Sequence, residues 1–408
     1  MNIAFYSPYP TISGVSILFL RLASYLSQTH NIFIMDLNGG YMHSKIPENC
    51  KFIPYDSPEM LPPDTILVVQ SCALWRIPFI DKFDIKTRVF LWNLHPDNLN
   101  PNIGGKKTGL VGMVLKVINL LNHYRKKKLK TQTKLFIENK AIYFMDMENL
   151  KNTERLLDIN IENNLLLPII NNVSYPNKIK NYKVSKSEVI KCIWVGRIEG
   201  FKLQILLYTI SQLEAYKEHK IHLTIVGRGR DKKIVDSYLR KCQNLIYSCI
   251  DNVSFNELTN LFKDKHLAFG MGTSALDSAS IGLPTVCLDY SYSKISKYYQ
   301  FHFLHENTGY IVGSEINAPK FFSNSCNLYK IFNEIIHDGL TVSEKSFNYC
   351  LNNHSYRISD KIPDILSNSS LTIGTLLKYR LSDADFITKL IANVLNKNKV
   401  DSSGFILF

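Results

Sequence analysis

The chain has 408 residues, 45% apolar and 20% charged. That composition excludes a disordered chain, a collagen-like fibre and a small disulfide scaffold. Forty-eight Lys and Arg against 35 Asp and Glu leave a net charge of +13, which asks for an anionic partner: phosphates, an acidic membrane or nucleic acid.

The N-terminus, Met1 to Pro8, has no basic leader, so no signal peptide is expected, and no apolar run reaches the length of a membrane span. The eight cysteines include no Cys-x-x-Cys pair, and buried reduced thiols in a cytosol account for them. The sequons at Asn172 and Asn252 would there stay unmodified.

In chain order, short apolar runs alternate with helical periodicity. Strands are predicted at Ile3–Tyr6, Ile32–Asp36, Ile66–Gln70, Arg88–Trp92, Ala141–Met145 and Leu165–Ile169, with a helix over Val15–Ser27. After a polar stretch the rhythm restarts. Strands are predicted at Val189–Val195, His222–Val226, His266–Phe269 and Thr285–Leu288, and helices at Leu203–Tyr216, Lys232–Lys241 and Thr273–Ile281. Ser254-Phe-Asn-Glu257 is a capping box opening a helix to Lys263. The class is α/β: two doubly wound domains facing across a cleft, spanning 1–175 and 189–380, a linker over 176–188, and a closing helix (Leu381–Leu395) and tail in 381–408.

Four turns carry candidate chemistry. Ser7 to Gly14 joins the first strand to the first helix, where free backbone N–H groups suit an anion, although a plain turn looks the same. In Trp194-Val-Gly-Arg197-Ile-Glu-Gly-Phe-Lys202, two cations flank a helix start, as a diphosphate clamp or as solvated surface charge. Ile225-Val-Gly227-Arg-Gly229 reads most simply as a tight turn. In Phe269-Gly-Met-Gly272-Thr273-Ser274-Ala-Leu-Asp277, glycines permit close backbone approach, Thr273 and Ser274 cap the helix or bind phosphate, and Asp277 reaches ribose hydroxyls or stabilises the helix dipole. The helix stops at Gly282, before Pro284.

The order of these pieces resembles a GT-B glycosyltransferase of the large family 4, "group 1", type. The resemblance is strong over about residues 190–290 and moderate over 1–36. It implies Rossmann-like domains, the first for the acceptor and the second for a nucleotide-sugar. It implies donor binding by Gly14, Arg197, Lys202, Gly272, Thr273, Ser274 and Asp277, with Arg197 and Lys202 neutralising the leaving phosphate and no metal or other cofactor required. Asp277 stands at the second Glu of the family's Glu-x7-Glu element, and Gly282 and Pro284 match its Gly-x-Pro. Phe269 stands at the first Glu, a departure seen as a divergent subgroup linked with bacterial surface polysaccharides. Retention of configuration is implied by the family alone.

The first domain contributes Leu91-Trp-Asn-Leu-His95-Pro-Asp97-Asn98. His95 beyond a strand is a candidate catalytic group or a turn histidine bonded to local backbone, and Asp97 is a base or a turn former. Asp146-Met-Glu148 resembles a metal-binding Asp-x-Asp but reads better as a helix cap. Residues 101–140 hold ten Lys or Arg and one acid, and 109–121 are mostly apolar. Residues 109–130 are thus expected to lie on an anionic membrane surface, beside a lipid-linked or oligosaccharide acceptor, placing the protein at the inner face of the cell membrane. The expected activity is sugar transfer to a growing cell-surface glycan such as lipopolysaccharide, O-antigen or capsule. The alternatives are a non-catalytic GT-B-like partner in polysaccharide assembly and a nucleic-acid-modifying glycosyltransferase. No nucleic acid is expected as partner, because aliphatic residues rather than interleaved aromatics dominate beside the basic run.

Overall fold

The computed structural model describes residues 1–10, 12–71, 77, 79–101, 123–171, 173, 182, 184, 189–251, 253–317, 320 and 323–383. The chain divides into two compact units: Met1–Pro168 with the chain from Ser359 onward, and Ile169–Ile358.

The first unit is built on strands β1 (Asn2–Tyr6), β2 (Asn31–Asp36), β3 (Cys50–Pro54), β4 (Thr65–Gln70), β5 (Arg88–Asn93) and β6 (Ile142–Phe144). All neighbours pair in parallel, in the order 3-2-1-4-5-6. Its helices are α1 (Gly14–Leu26), α2 (Tyr41–Ser44), α3 (His123–Glu138) and α4 (Met147–Leu157). Five successive residues of β4, Thr65–Val69, are buried, as expected of a parallel strand covered on both faces. On α1, Leu18, Leu22, Ala23 and Leu26 form one buried apolar stripe, and Phe19 packs on Phe5 at 5.1 Å.

The second unit repeats the plan. It holds β7 (Ile190–Val195), α5 (Phe201–Ala215), β8 (Ile221–Val226), α6 (Lys232–Leu239), β9 (Leu245–Ile250), α7 (Phe255–Lys263), β10 (Leu267–Gly270), α8 (Thr273–Ala279), β11 (Thr285–Cys287) and β12 (His302–Phe303). Read from β9, the order is 9-8-7-10-11-12, the same winding as the first sheet, with β12 antiparallel at the edge. Helices α9 (Leu328–His337) and α10 (Gly339–His354) follow, and α11 (Tyr356–Ser359) leads back towards the first unit.

Three expectations are corrected. The second domain does not run to 380: α12 (Ile362–Ser367) and α13 (Ile373–Lys378) belong to the first unit, where Leu371, Ile373 and Leu376 are buried in its core and Leu371 O accepts from Val89 N at 2.7 Å. Leu165–Ile169 is not a strand. Leu166 makes one parallel bridge to Phe144, and the chain then crosses to the second unit. The stretch expected as a linker, 176–188, falls in the second unit, where Tyr182 and Val184 are buried in the core and the Tyr182 hydroxyl donates to His266 O. Strands β3, β9 and β12, absent from the sequence reading, lack clear alternation or are short. Most of the expected closing helix, from 384, lies outside the described residues.

Candidate functional site

In a doubly wound sheet, ligands bind beyond the strand C-termini where the strand order reverses. In the second unit that point lies between β7 and β10, which pair Cys192 with Leu267 and Trp194 with Phe269. The loop after β7 carries Arg197 and Lys202, and the turn after β10 carries Gly272, Thr273, Ser274 and Asp277. The fold thus gathers the six donor-site candidates of this unit on one sheet edge.

Backbone geometry explains the glycines there. Gly200 (φ 57°, ψ −130°) precedes α5 and Gly272 (φ 61°, ψ −135°) precedes α8, so both helices start from nearly the same left-handed conformation. Side chains rarely adopt it. Neither helix has a side-chain cap, whereas Ser254 caps α7 in the predicted box and Asn327 caps α9. The pair Gly227 and Gly229 does more than turn the chain. A Cβ at Gly227 would lie 1.8 Å from Gly196 O, and one at Gly229 would lie 2.3 Å from Ile198 O. The two glycines let the loops after β7 and β8 zip together through Gly196 N to Val226 O, Ile198 N to Arg228 O and Asp231 N to Ile198 O, each 3.0–3.1 Å.

That zipper presents the cations. Arg197, half exposed, pairs with Glu199 at 3.1 Å. Lys202 is only partly exposed, and its Nζ lies 3.6 Å from where a Gly196 Cβ would stand. Burial, followed by the Arg197 charge and against the pull of Glu199, lowers its pKa to about 8. Ser274 Oγ donates to Met271 O at 3.0 Å, so its hydrogen is engaged and its lone pairs remain. Thr273 and Asp277 are partly exposed on α8. Phe269 is 1% exposed and packs edge-on to Phe301 at 6.0 Å. Its position is core, where no ligand-binding carboxylate would fit.

The other three candidates lie at the matching edge of the first unit. Gly14 opens α1, and a Cβ there would meet nothing within 4 Å. Unlike α5 and α8, this helix is capped by serines: Ser13 Oγ accepts from Ser16 N, and Ser13 N donates to Ser16 Oγ. The local anion-binding reading of Gly14 is weaker for it.

His95 follows β5. Its Nδ1 accepts from Asp97 N at 3.1 Å, so the neutral ring carries its proton on Nε2. Burial lowers its pKa, against the Asp97 charge. Such a ring is a hydrogen-bond donor at Nε2, not a base. Asp97 Oδ1 accepts from Asn100 Nδ2 at 3.0 Å, which favours the turn-forming role. Asn98, part of the motif but given no role in the sequence, locks the loop: its Oδ1 accepts from Leu94 N and from Gln70 Nε2, both at 3.1 Å.

Asp146 caps α4, accepting from Asn149 N at 2.8 Å, and burial holds its carboxyl well above the usual range. The apolar part of the expected membrane segment, 109–121, lies outside the described residues. In α3, two of the cations are engaged: Lys128 Nζ donates to Asp383 O at 3.1 Å, and Lys130 pairs with Asp158 at 3.2 Å. Tyr124 is 70% exposed. No helix among the described residues is long and apolar enough to cross a membrane.

No family profile and no curated protein matches the sequence. Solved structures do. A glycosyltransferase from Rickettsia africae matches with a TM-score of 0.57 at 12% identity, over 90% of this chain and 98% of that one. HepE from Anabaena in complex with UDP-glucose matches with a TM-score of 0.55 at 12% identity, over 90% and 99%. The fold is GT-B. At this identity the likeness speaks for the fold alone. In the GT-B frame, Glu199 and the exposed Arg228 and Arg230 join the rim of the second unit. The Gly227-Arg-Gly-Arg230 signal was visible in the sequence, but only the zipper explains it.

Proposed function

We propose that this chain is a glycosyltransferase moving a sugar from a nucleotide-activated donor to a growing bacterial cell-surface glycan. The observation that carries the reading is the edge of the second unit, where two glycine-started helices without side-chain caps meet Arg197 and the partly buried Lys202. Two cations beside helix N-termini stabilise the charge that develops on a leaving diphosphate, which is the work a metal performs elsewhere. The HepE complex with UDP-glucose supports a UDP-sugar as the first donor to try. Asp277 holds the ribose, Thr273 and Ser274 meet phosphate oxygens, and Gly14 leaves room for the donor to approach. His95 Nε2–H donates to an oxygen of the reacting sugar, and Asp97 sets the loop.

Retention of configuration, a lipid-linked acceptor and residence at the inner membrane face, through residues 109–130, complete the proposal. The basic run and the exposed Tyr124 support the membrane part. A second reading, a non-catalytic partner in polysaccharide assembly, draws on Phe269, whose ring occupies the position of a family carboxylate.

A thermal-shift screen with UDP, GDP, CMP and ADP, with and without EDTA, separates the two. A nucleotide at 100 times its Kd stabilises by about 2.7 kcal/mol. One hit, unchanged by EDTA and lost in Arg197→Ala, is expected. With that donor, His95→Ala should lower kcat on the order of 10²-fold at unchanged nucleotide affinity. Folded protein that no nucleotide stabilises would favour the non-catalytic reading.

A further inference from the structure

A depression of about 440 Å³ opens elsewhere in the second unit. The volume is in the range of small-ligand pockets, roughly 300–1,000 Å³. None of its lining residues belongs to the rim of Arg197, Lys202 and Gly272–Asp277. One wall is a single face of α10, on which Lys345, Asn348, Tyr349 and Asn352 recur at i, i+3, i+4 and i+7. The facing wall includes Asn324 and the 3-10 turn Leu304–Glu306. Because β12 runs antiparallel to β11, this turn leaves the sheet at the edge opposite the strand C-termini that carry the donor rim.

The lining selects among ligand chemistries. Two carboxamides on α10, Asn348 and Asn352, each offer one acceptor and two donors, a match for adjacent sugar hydroxyls, while the Asn324 amide also bonds Glu306. Tyr349 is 8% exposed and its hydroxyl donates to Ile311 O at 3.1 Å, so its ring serves as an apolar floor. The charges are one cation, Lys345, and one carboxylate, Glu306, already accepting from Phe303 N at 2.8 Å. A nucleotide or phosphate would want a cationic excess, and a lipid an apolar wall. His305 lines the depression with its ring, whose Nδ1 is buried without a hydrogen-bond partner among the described residues. Burial and Lys345 keep that ring neutral, with a pKa of about 4.

We propose that this depression is a carbohydrate-binding site, separate from the donor rim, that holds a neutral stretch of glycan. The choice of glycan rests on the transfer reading, since a growing acceptor supplies such stretches at high local concentration. The test is binding of the full chain to an immobilised array of neutral oligosaccharides of glucose, galactose and N-acetylhexosamine, with acidic oligosaccharides of hexuronic acid beside them. The wild type should bind a subset, and Asn348→Ala/Asn352→Ala should lose tenfold or more of that binding while its nucleotide thermal shift stays that of the wild type. Equal binding by the double variant, or no oligosaccharide bound at millimolar concentration by folded wild type, overturns the site. Binding confined to acidic oligosaccharides and lost in Lys345→Gln overturns its neutral specificity. Amide-dependent glycan binding in a protein that no nucleotide stabilises would keep this site and remove the transfer reading.

Discussion

Lys202 is where charge and burial oppose each other most directly. Its pKa of about 8 lies below the ordinary 10.5, so the protonated form still prevails at pH 7 and is lost as pH rises through 8. In the proposed donor site the diphosphate binds the charged form. Nucleotide affinity should therefore fall above about pH 8, approaching tenfold per unit, and Lys202→Arg should flatten that slope because guanidinium keeps its proton. Folding carries the opposite sign. Between about 8 and 10.5 the unfolded chain holds a proton that the folded one has released, so this residue adds stability as pH rises. Titration calorimetry with the nucleotide at pH 7, 8 and 9, on wild type and Lys202→Arg, checks the binding half. A flat wild-type profile would remove Lys202 from the phosphate site.

The loops after β7 and β8 act as one element. Gly227 has φ 149° and no room for a Cβ, which would fall 1.8 Å from Gly196 O. Gly227→Ala must part the zipper that carries Arg197, and should cost about 3 kcal/mol or more, the range of strained, overpacked sites. Chemical denaturation reads that loss. Nucleotide affinity should drop with it, even in the folded fraction, since Arg197 and Lys202 lose their common frame. Ser254→Ala is the control at a distant helix start. It removes the α7 cap, for about 1 kcal/mol, and should leave nucleotide binding alone. A Gly227→Ala protein with native stability would show that the zipper yields at little cost.

The whole molecule is two similarly wound units, and the chain closes the first with its own returning end. Ser369 Oγ donates to Val89 O at 2.8 Å, Ile373 N donates to Thr87 O at 2.9 Å, and Arg88 bridges Thr372. Each of the buried Leu371, Ile373 and Leu376 contributes about 1.5–3 kcal/mol. Removing residues 359–408 should therefore destabilise the first unit and spare the second. Hydrogen exchange checks it: amides of β5, Val89 above all, should lose protection, while those of β7 and β8 keep theirs. Uniform loss across both sheets would mean that the units do not fold separately.

Local and periodic features were legible in the sequence. The α1 stripe, the Ser254–Glu257 box, the Asp146 cap and the glycine turns after β1, β7, β8 and β10 depend on neighbours a few residues away, and the side-chain pattern of a covered parallel strand is written in its own composition. The two-unit class and the identity of the candidate residues follow from these. What only the tertiary structure decided involves partners far apart in sequence. Strand β9 has no apolar alternation, and only pairing with β8 makes it a strand. Residues 359–380 follow the second unit in sequence, yet their apolar side chains are buried in the first. The role of Gly227 depends on Gly196, thirty-one positions earlier, and the proton position of His95 depends on a turn whose closure no pattern announces. Periodicity records which side of an element is buried. It does not record against what, because that is settled by chain segments whose approach costs loop entropy and is repaid only when the whole core forms.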